Sequence, residues 1–289
     1  MSLRYLEYNA SRTIPNVVVD GSPNEGTVLT LTHWPGMAQS GGLAADLSAQ
    51  MAFRFVRNGV SAAADVVTNN HLDQDGLVAM YALVEPAEAL RHQELLVDVA
   101  AAGDFGTYRY RQAARASMAI ATYADPERSP IAAELTGPYE VQCAVLYERL
   151  LERLLDIVLR PEEFSELWID EDRQLTASEA ALATGAITIE ERADVDLAIV
   201  DIAASEPQRR GHRFAADEYV GVHPMASTTP RVVSGFCKCT DVATPTRTAT
   251  SPGCSTSPGG RCHALTCDRS PNSSPLLTPR SGLHRVRPV

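Results

Sequence analysis

The sequence predicts an α/β protein, with a mainly parallel sheet flanked by helices and followed by a disordered tail. Three observations predict it. Short β-branched runs alternate with segments of helical period at the front; the middle is almost wholly helical; and the composition breaks sharply near residue 226. Strand–helix alternation is the pattern of parallel sheets, because each new strand must be reached by a crossover.

"TVLTLTH" (27–33) is β-branched and apolar and is bounded by Gly26 and Pro35-Gly36, so it reads as a buried strand. Residues 43–58 follow as a helix with Leu43, Leu47, Met51 and Phe55 on one stripe. A second strand reads over 64–68. From residue 76, Leu77, Met80, Tyr81 and Val84 recur at helical spacing. "ELLVDVA" (94–100) fits a strand or a short helix. A helix over 110–124 stops before Pro126, and one over 139–159 carries an apolar face of Val141, Val145, Leu151, Leu154, Leu155 and Val158. Pro161 suits a first helical turn, and Gly185 the C-terminal cap of a helix through 170–184. "AITIEE" and residues 195–202 return to strand character.

The formal net charge of −11 over 289 residues argues against general nucleic-acid binding, which needs a basic footprint. No segment has the order of a signal peptide and no apolar run approaches ~20 residues, so a cytoplasmic protein without a membrane partner is expected. Lys238 is the only lysine; with abundant Ala, Val, Asp and Leu, that points to a GC-rich genome.

Residues 1–226 form the expected domain and residues 227–289 a separate tail. The tail holds eight basic residues against two acidic ones (Asp241, Asp268), together with Cys237, Cys239, Cys254, Cys262 and Cys267. It has neither a period of 2 nor one of 3.6, and too few apolar residues to offset the entropy of ordering. As a zinc module, Cys237-x-Cys239 with Cys254 and Cys262-His263 lacks paired C-x₂-C spacing. A disulfide-stapled segment conflicts with a domain that has one cysteine and no export signal. Out-of-frame translation of a GC-rich gene yields this mixture; the domain is then C-terminally incomplete.

The stretch "NNHLDQDGLVAMYALV" (69–84) places His71, Asp73 and Asp75 at alternate positions before Gly76, where a strand gives way to a helix. Open α/β sheets bind ligands at that end of their strands. An imidazole with carboxylates suits Mn²⁺, Mg²⁺ or Fe. A calcium loop of EF-hand type fails, since His71 would fill its first position and Ala82 its twelfth. The plain alternative is that the aspartates cap the following helix.

"HLDQDGLVAMYAL" resembles the first motif of the DHH phosphoesterases, H-x-D-x-D-G after a strand and opening a helix. In that superfamily the His and aspartates bind a pair of divalent ions, usually manganese, that activate water for attack on a phosphoester or pyrophosphate. Residues 16–226 also resemble an uncharacterised actinobacterial family with "LTHWPG", "HLDQDGL", "AGDF" and "HPMA" blocks. The D-H-H triplet and a G-G-G-H segment are absent from the chain.

The resemblance implies a divalent-metal phosphoesterase or pyrophosphohydrolase acting on a small phosphorylated molecule, with Mn²⁺ or Mg²⁺ as cofactor. His71 and Asp75 are the candidate catalytic residues, and His33, His71, Asp73, Asp75 and Asp104 the candidate metal ligands. Asp104, in "AAAGDFGTYR", resembles the bridging aspartate of the second motif and reads equally as a turn residue. His33 ends the first strand, so it is placed at the same sheet edge as His71. Asp98 is an alternative ligand if 94–100 is a strand; His212 and His223 are weaker candidates. Trp34 and Cys143 read as packing residues, Arg109, Arg111 and Arg115 as possible phosphate contacts, and Asp170, Glu171 and Asp172 as first-turn helix charges. No G-x-S-x-G elbow, P-loop or dinucleotide fingerprint competes. The alternative function is a non-catalytic protein that binds a ligand or partner at a degenerate DHH-like site.

Overall fold

A run of three valines preceded by a buried asparagine, Asn16–Val19, forms the interior strand that organises the fold. In the computed structural model all four residues are buried, as expected of a strand flanked on both sides in a parallel sheet. The structure describes residues 2–34, 37, 42–59, 62–192, 197–202 and 231–232. All of these lie in one unit, residues 1–249.

The main sheet has four strands: β1 (Arg4–Tyr5), β2 (Asn16–Val19), β3 (Thr27–Leu31) and β4 (Val66–Thr68). Their order is β1-β4-β2-β3, and every pairing is parallel. The α/β class and parallel sheet are as the sequence predicts. The strands expected over 27–33 and 64–68 share the sheet, and β2 lies between them. That strand was not anticipated, although its β-branched run ending in Asp20-Gly21 has the same form as the strand before the HxDxDG motif. Residues 20–26 return the chain from β2 to β3 without a helix. The Asn16 amide ties this return down by donating to the Asn24 Oδ1 at 2.9 Å, while the Thr27 hydroxyl donates to the Asn16 Oδ1 at 3.0 Å.

A four-residue helix, α1 (Tyr8–Ser11), joins β1 to β2. Helix α2 (Ser48–Arg57) leads to β4 and helix α3 (Gln74–Val84) follows it. Nine of the eleven residues of α3 are buried, because it packs on β1, β2 and β4 and on α2. Next come α4 (Pro86–Arg91), α5 (Gln93–Phe105), α6 (Arg111–Tyr123) and α7 (Tyr139–Leu159). Residues 94–100 are therefore helical, and their apolar positions face α3 and α6. The face of α7 differs from the expected one. Cys143, Leu146, Tyr147, Leu150, Leu154, Ile157 and Val158 are buried, whereas Val141 is 48% exposed. The burial of Tyr147 rotates the helix so that its hydroxyl reaches the site described below.

Pro161–Phe164 forms a 3₁₀ turn before α8 (Ser165–Thr184), which Gly185 ends in the left-handed conformation at φ 78°. Asp170, Glu171 and Asp172 consequently lie inside α8 and not in its first turn. Strands β5 (Ile187–Arg192), β6 (Leu197–Ile202) and β7 (Arg231–Val232) make a separate antiparallel sheet in the order β5-β6-β7. Apart from β7, the expected tail over 227–289 lies outside the described residues, as do His212 and His223. No helix among the described residues is long and apolar enough to cross a membrane.

Candidate metal centre at the sheet edge

Because the four strands are parallel, their C-terminal ends share one edge, and the chemistry-bearing residues gather there. Asp20 directly follows β2, His33 lies two residues past β3, and Asn69, His71 and Asp73 occupy the turn between β4 and α3. Asp75 lies in the first turn of α3.

Asp20 is the residue that sequence reasoning missed, and it is central. It is 1% exposed and holds a left-handed backbone at φ 47°, a conformation that Asp tolerates better than most side chains. The glycine after it is required by close approach: a Cβ on Gly21 would come within 2.3 Å of Asn69 Oδ1 and 2.4 Å of Asn70 Oδ1. The Ser48 hydroxyl donates to Asp20 Oδ1 at 2.8 Å. Asp20 Oδ2 accepts no hydrogen bond of good geometry, but lies 3.3 Å from His71 Nε2. The available signal was a buried strand ending in Asp-Gly.

His71 Nε2 also lies 3.2 Å from Asp73 Oδ2, so its imidazole spans two carboxylates. Its other nitrogen, Nδ1, is buried without a hydrogen-bond partner. Tyr147 donates its hydroxyl to the His71 carbonyl at 3.0 Å and accepts from the Asn69 amide at 2.9 Å, which fixes the turn. Gly76 has ordinary helical geometry; it is needed because a Cβ there would meet Asn69 Nδ2 at 2.6 Å and Tyr147 Oη at 3.0 Å.

His33 approaches from the other side. Its Nδ1 lies 2.5 Å from the Asp46 carbonyl. A carbonyl only accepts, so Nδ1 carries the hydrogen and Nε2 is left facing Asp104 Oδ2 at 3.5 Å and Asp20 Oδ1 at 3.9 Å. Asp75 Oδ2 is 3.9 Å from His33 Nδ1. Asp104 is thus brought to the site, from the last turn of α5 and not from the loop the sequence suggested. Trp34 lies beside His71, with ring centroids 5.2 Å apart.

Helix capping accounts for part of the carboxylate pattern. Asp73 Oδ1 accepts from the Gly76 amide at 2.8 Å and caps α3. Asp75 accepts from the amides of Ser48 and Ala49 at 2.7 and 2.8 Å, closing the N-terminus of α2. Capping leaves Asp73 Oδ2 turned to His71 and places no demand on Asp20, His33 or His71. Asp98 caps as well: it is a helical residue that accepts from the amides of Arg109 and Tyr110, and it is not at the site.

The electrostatics are those of crowded, buried anions. Burial, reinforced by the charge of Asp73, holds the Asp20 carboxyl well above the usual range. Burial likewise raises Asp75 to about 6. Asp73 stays below its ordinary value despite burial, because His71 and the Gly76 amide favour its charged form. For His71 burial is outweighed by Asp20 and Asp73, which push its pKa to about 10.

Two sets of ligand atoms each lie within 4.8 Å of one another, Asp20–His71–Asp73 and Asp20–His33–Asp75, and they share Asp20. Either set could hold a metal ion. The mixed nitrogen and oxygen donors, the underused Asp20 Oδ2 and the facing of His33 Nε2 and Asp104 Oδ2 all fit a cation. Asp104 belongs to neither set and reaches the centre through His33. Two of the arginines considered as phosphate contacts are committed elsewhere: Arg111 and Arg115 both pair with Asp172, and Arg115 also lies over the Trp168 ring at 4.2 Å. Arg109 is exposed, 3.6 Å from Glu94. Cys143 is buried, as expected.

The fold and site define a class: an α/β protein with a carboxylate–histidine centre at the C-terminal edge of a parallel sheet. The chain belongs to the family described as "Family of unknown function (DUF6687)", whose model matches residues 1–237. The match runs past the domain boundary expected at 226. No curated protein and no solved structure is significantly similar to the chain.

Proposed function

We propose that the chain is a divalent-metal phosphohydrolase acting on a small phosphorylated molecule, as an ester or a pyrophosphate, with Mn²⁺ as its metal and Mg²⁺ as the alternative. One observation carries the reading: two carboxylate–histidine sets share a single buried aspartate, Asp20, at the edge where open α/β sheets bind ligands. His71 and Asp73 would hold one ion and His33 and Asp75 a second, with Asp20 between them. Bound there, such ions lower the pKa of water towards neutrality and stabilise the charge of a phosphoryl group. The chain's own groups orient the ligands: the Asp46 carbonyl sets the His33 tautomer, and Tyr147 and Asn69 hold the His71 turn.

Elemental analysis of the purified chain, followed by a screen of phosphomonoesters, phosphodiesters and pyrophosphate with Mn²⁺, tests the proposal. Metal bound by the wild type but lost in Asp20→Asn, together with turnover, is expected. A wild-type chain that binds neither Mn²⁺ nor Mg²⁺ overturns it.

The capping role of Asp75 favours a second reading, in which the centre binds a ligand or partner without turnover. Both of its oxygens already accept amide hydrogen bonds, as in a purely structural carboxylate. Binding without hydrolysis across the screen supports that reading; turnover lost in Asp75→Asn excludes it.

A further inference from the structure

A cavity of about 310 Å³ adjoins the centre, and Asp73 belongs to both. The cavity lies against α5, α6 and the start of α3. Gly103 on α5 has no side chain there, which leaves room for Gln74; the Gln74 amide donates across to the Ser117 carbonyl on α6 at 2.9 Å. Half of its lining residues are apolar or glycine, and among these Leu72, Ala121 and Ala124 keep accessible surface. Ser117 lies on the same wall, and its buried hydroxyl has no hydrogen-bond partner.

Charge decides what can enter. Arg128 is the one cation among the described lining residues, and the Glu171 carboxylate holds it at 2.9 Å. Asp73 and Asp125 are acidic. A second phosphate group, or a nucleotide's polyphosphate, would find no free guanidinium to neutralise it and would face carboxylates at short range. An uncharged organic group would instead cover the apolar part of the wall.

We infer that this cavity is the substrate's organic subsite, and that the substrate is a phosphate monoester of a compact, uncharged alcohol or phenol, not pyrophosphate or a nucleotide. The inference rests on the metal-dependent reading above and narrows it. In the reaction, water adds its oxygen to phosphorus and the bond from phosphorus to the organic oxygen breaks. That oxygen takes up the proton lost by water, so an alcohol and inorganic phosphate leave.

The test uses the full chain loaded with Mn²⁺, with calorimetry on phenylphosphonate and pyrophosphate and turnover of phenyl phosphate. Ala121 is exposed at the cavity wall, so substitution there leaves the core and the metal ligands untouched. The wild type is expected to bind phenylphosphonate more tightly than pyrophosphate. Ala121→Trp, which fills the space, should weaken phenylphosphonate by at least about tenfold with Mn²⁺ binding unchanged. Ala121→Arg should shift the preference towards pyrophosphate by supplying the missing cation. A chain that binds Mn²⁺ but prefers pyrophosphate, or whose phenylphosphonate affinity is unmoved by Ala121→Trp, overturns the subsite. A chain that binds no divalent ion overturns the metal reading and the subsite with it.

Discussion

Asp75 lies on α3, yet its carboxylate closes the N-terminus of α2, 2.7 Å from the amide of Ser48. The same Ser48 donates its hydroxyl to Asp20, so one residue links a helix cap to the shared aspartate of the centre. Removing this acceptor leaves the amides of Ser48 and Ala49 buried without it. Asp75→Ala is expected to lower stability by about 2 kcal/mol, read by denaturant unfolding. Asp75→Asn retains one accepting oxygen and should lose roughly half of that. Equal losses in the two variants would show that the cap does not carry Asp75's contribution.

The Tyr147 hydroxyl bridges the Asn69 amide and the His71 carbonyl, and its removal strands a buried donor and a carbonyl. Tyr147→Phe is expected to cost about 1–3 kcal/mol of stability and to weaken Mn²⁺ binding through the loosened His71 turn. A variant as stable as wild type with unchanged metal affinity contradicts the positioning role.

His71 must surrender a proton before it can act as a ligand. With its pKa pushed to about 10, the imidazole is charged at neutral pH in the metal-free fold. Its contribution to stability is fully present below its ordinary value near 6.5, and is lost as pH rises through about 10. Mn²⁺ affinity should therefore rise with pH across that window, with protons released on binding. Calorimetry in buffers of different ionisation heat reads the release; pH-independent affinity between 6.5 and 10 would remove His71 from the ligand set.

Asp172 behaves in the opposite sense. Burial works against its charge, but hydrogen bonds from Arg115 and Arg111 outweigh it and hold the carboxyl below its ordinary value. Its stabilisation is present above that ordinary value and is lost as pH falls through the lowered one. Asp172→Asn should thus lose stability at pH 7 and converge with wild type in acid, as followed by thermal unfolding. An equal deficit at every pH would assign the residue a packing role alone.

Much of the architecture was legible because it depends on local periodicity. The α6 and α7 spans, the Gly185 cap and the parallel sheet all follow from apolar spacing and turn chemistry. The phase of α7 was not, since Tyr147 is buried by hydrogen bonds to Asn69 and His71, far away in sequence. Strand β2 is only four residues long, and its connection to β3 lacks the helix that usually marks a crossover.

The HxDxDG stretch could be read as a site from sequence because three ligand-type side chains stand within five residues, and backbone geometry alone keeps them close. Strand polarity likewise placed His33 at the same edge. The role of Asp20 depends on β2 lying beside β4, a pairing made by main-chain hydrogen bonds that leave no mark in residue spacing. Asp104 and Asp75 teach the same point: the first reaches His33 from the end of a helix, and the second caps a helix other than its own. Local spacing specifies which side chains are near in the chain, whereas long-range packing determines which lone pairs converge.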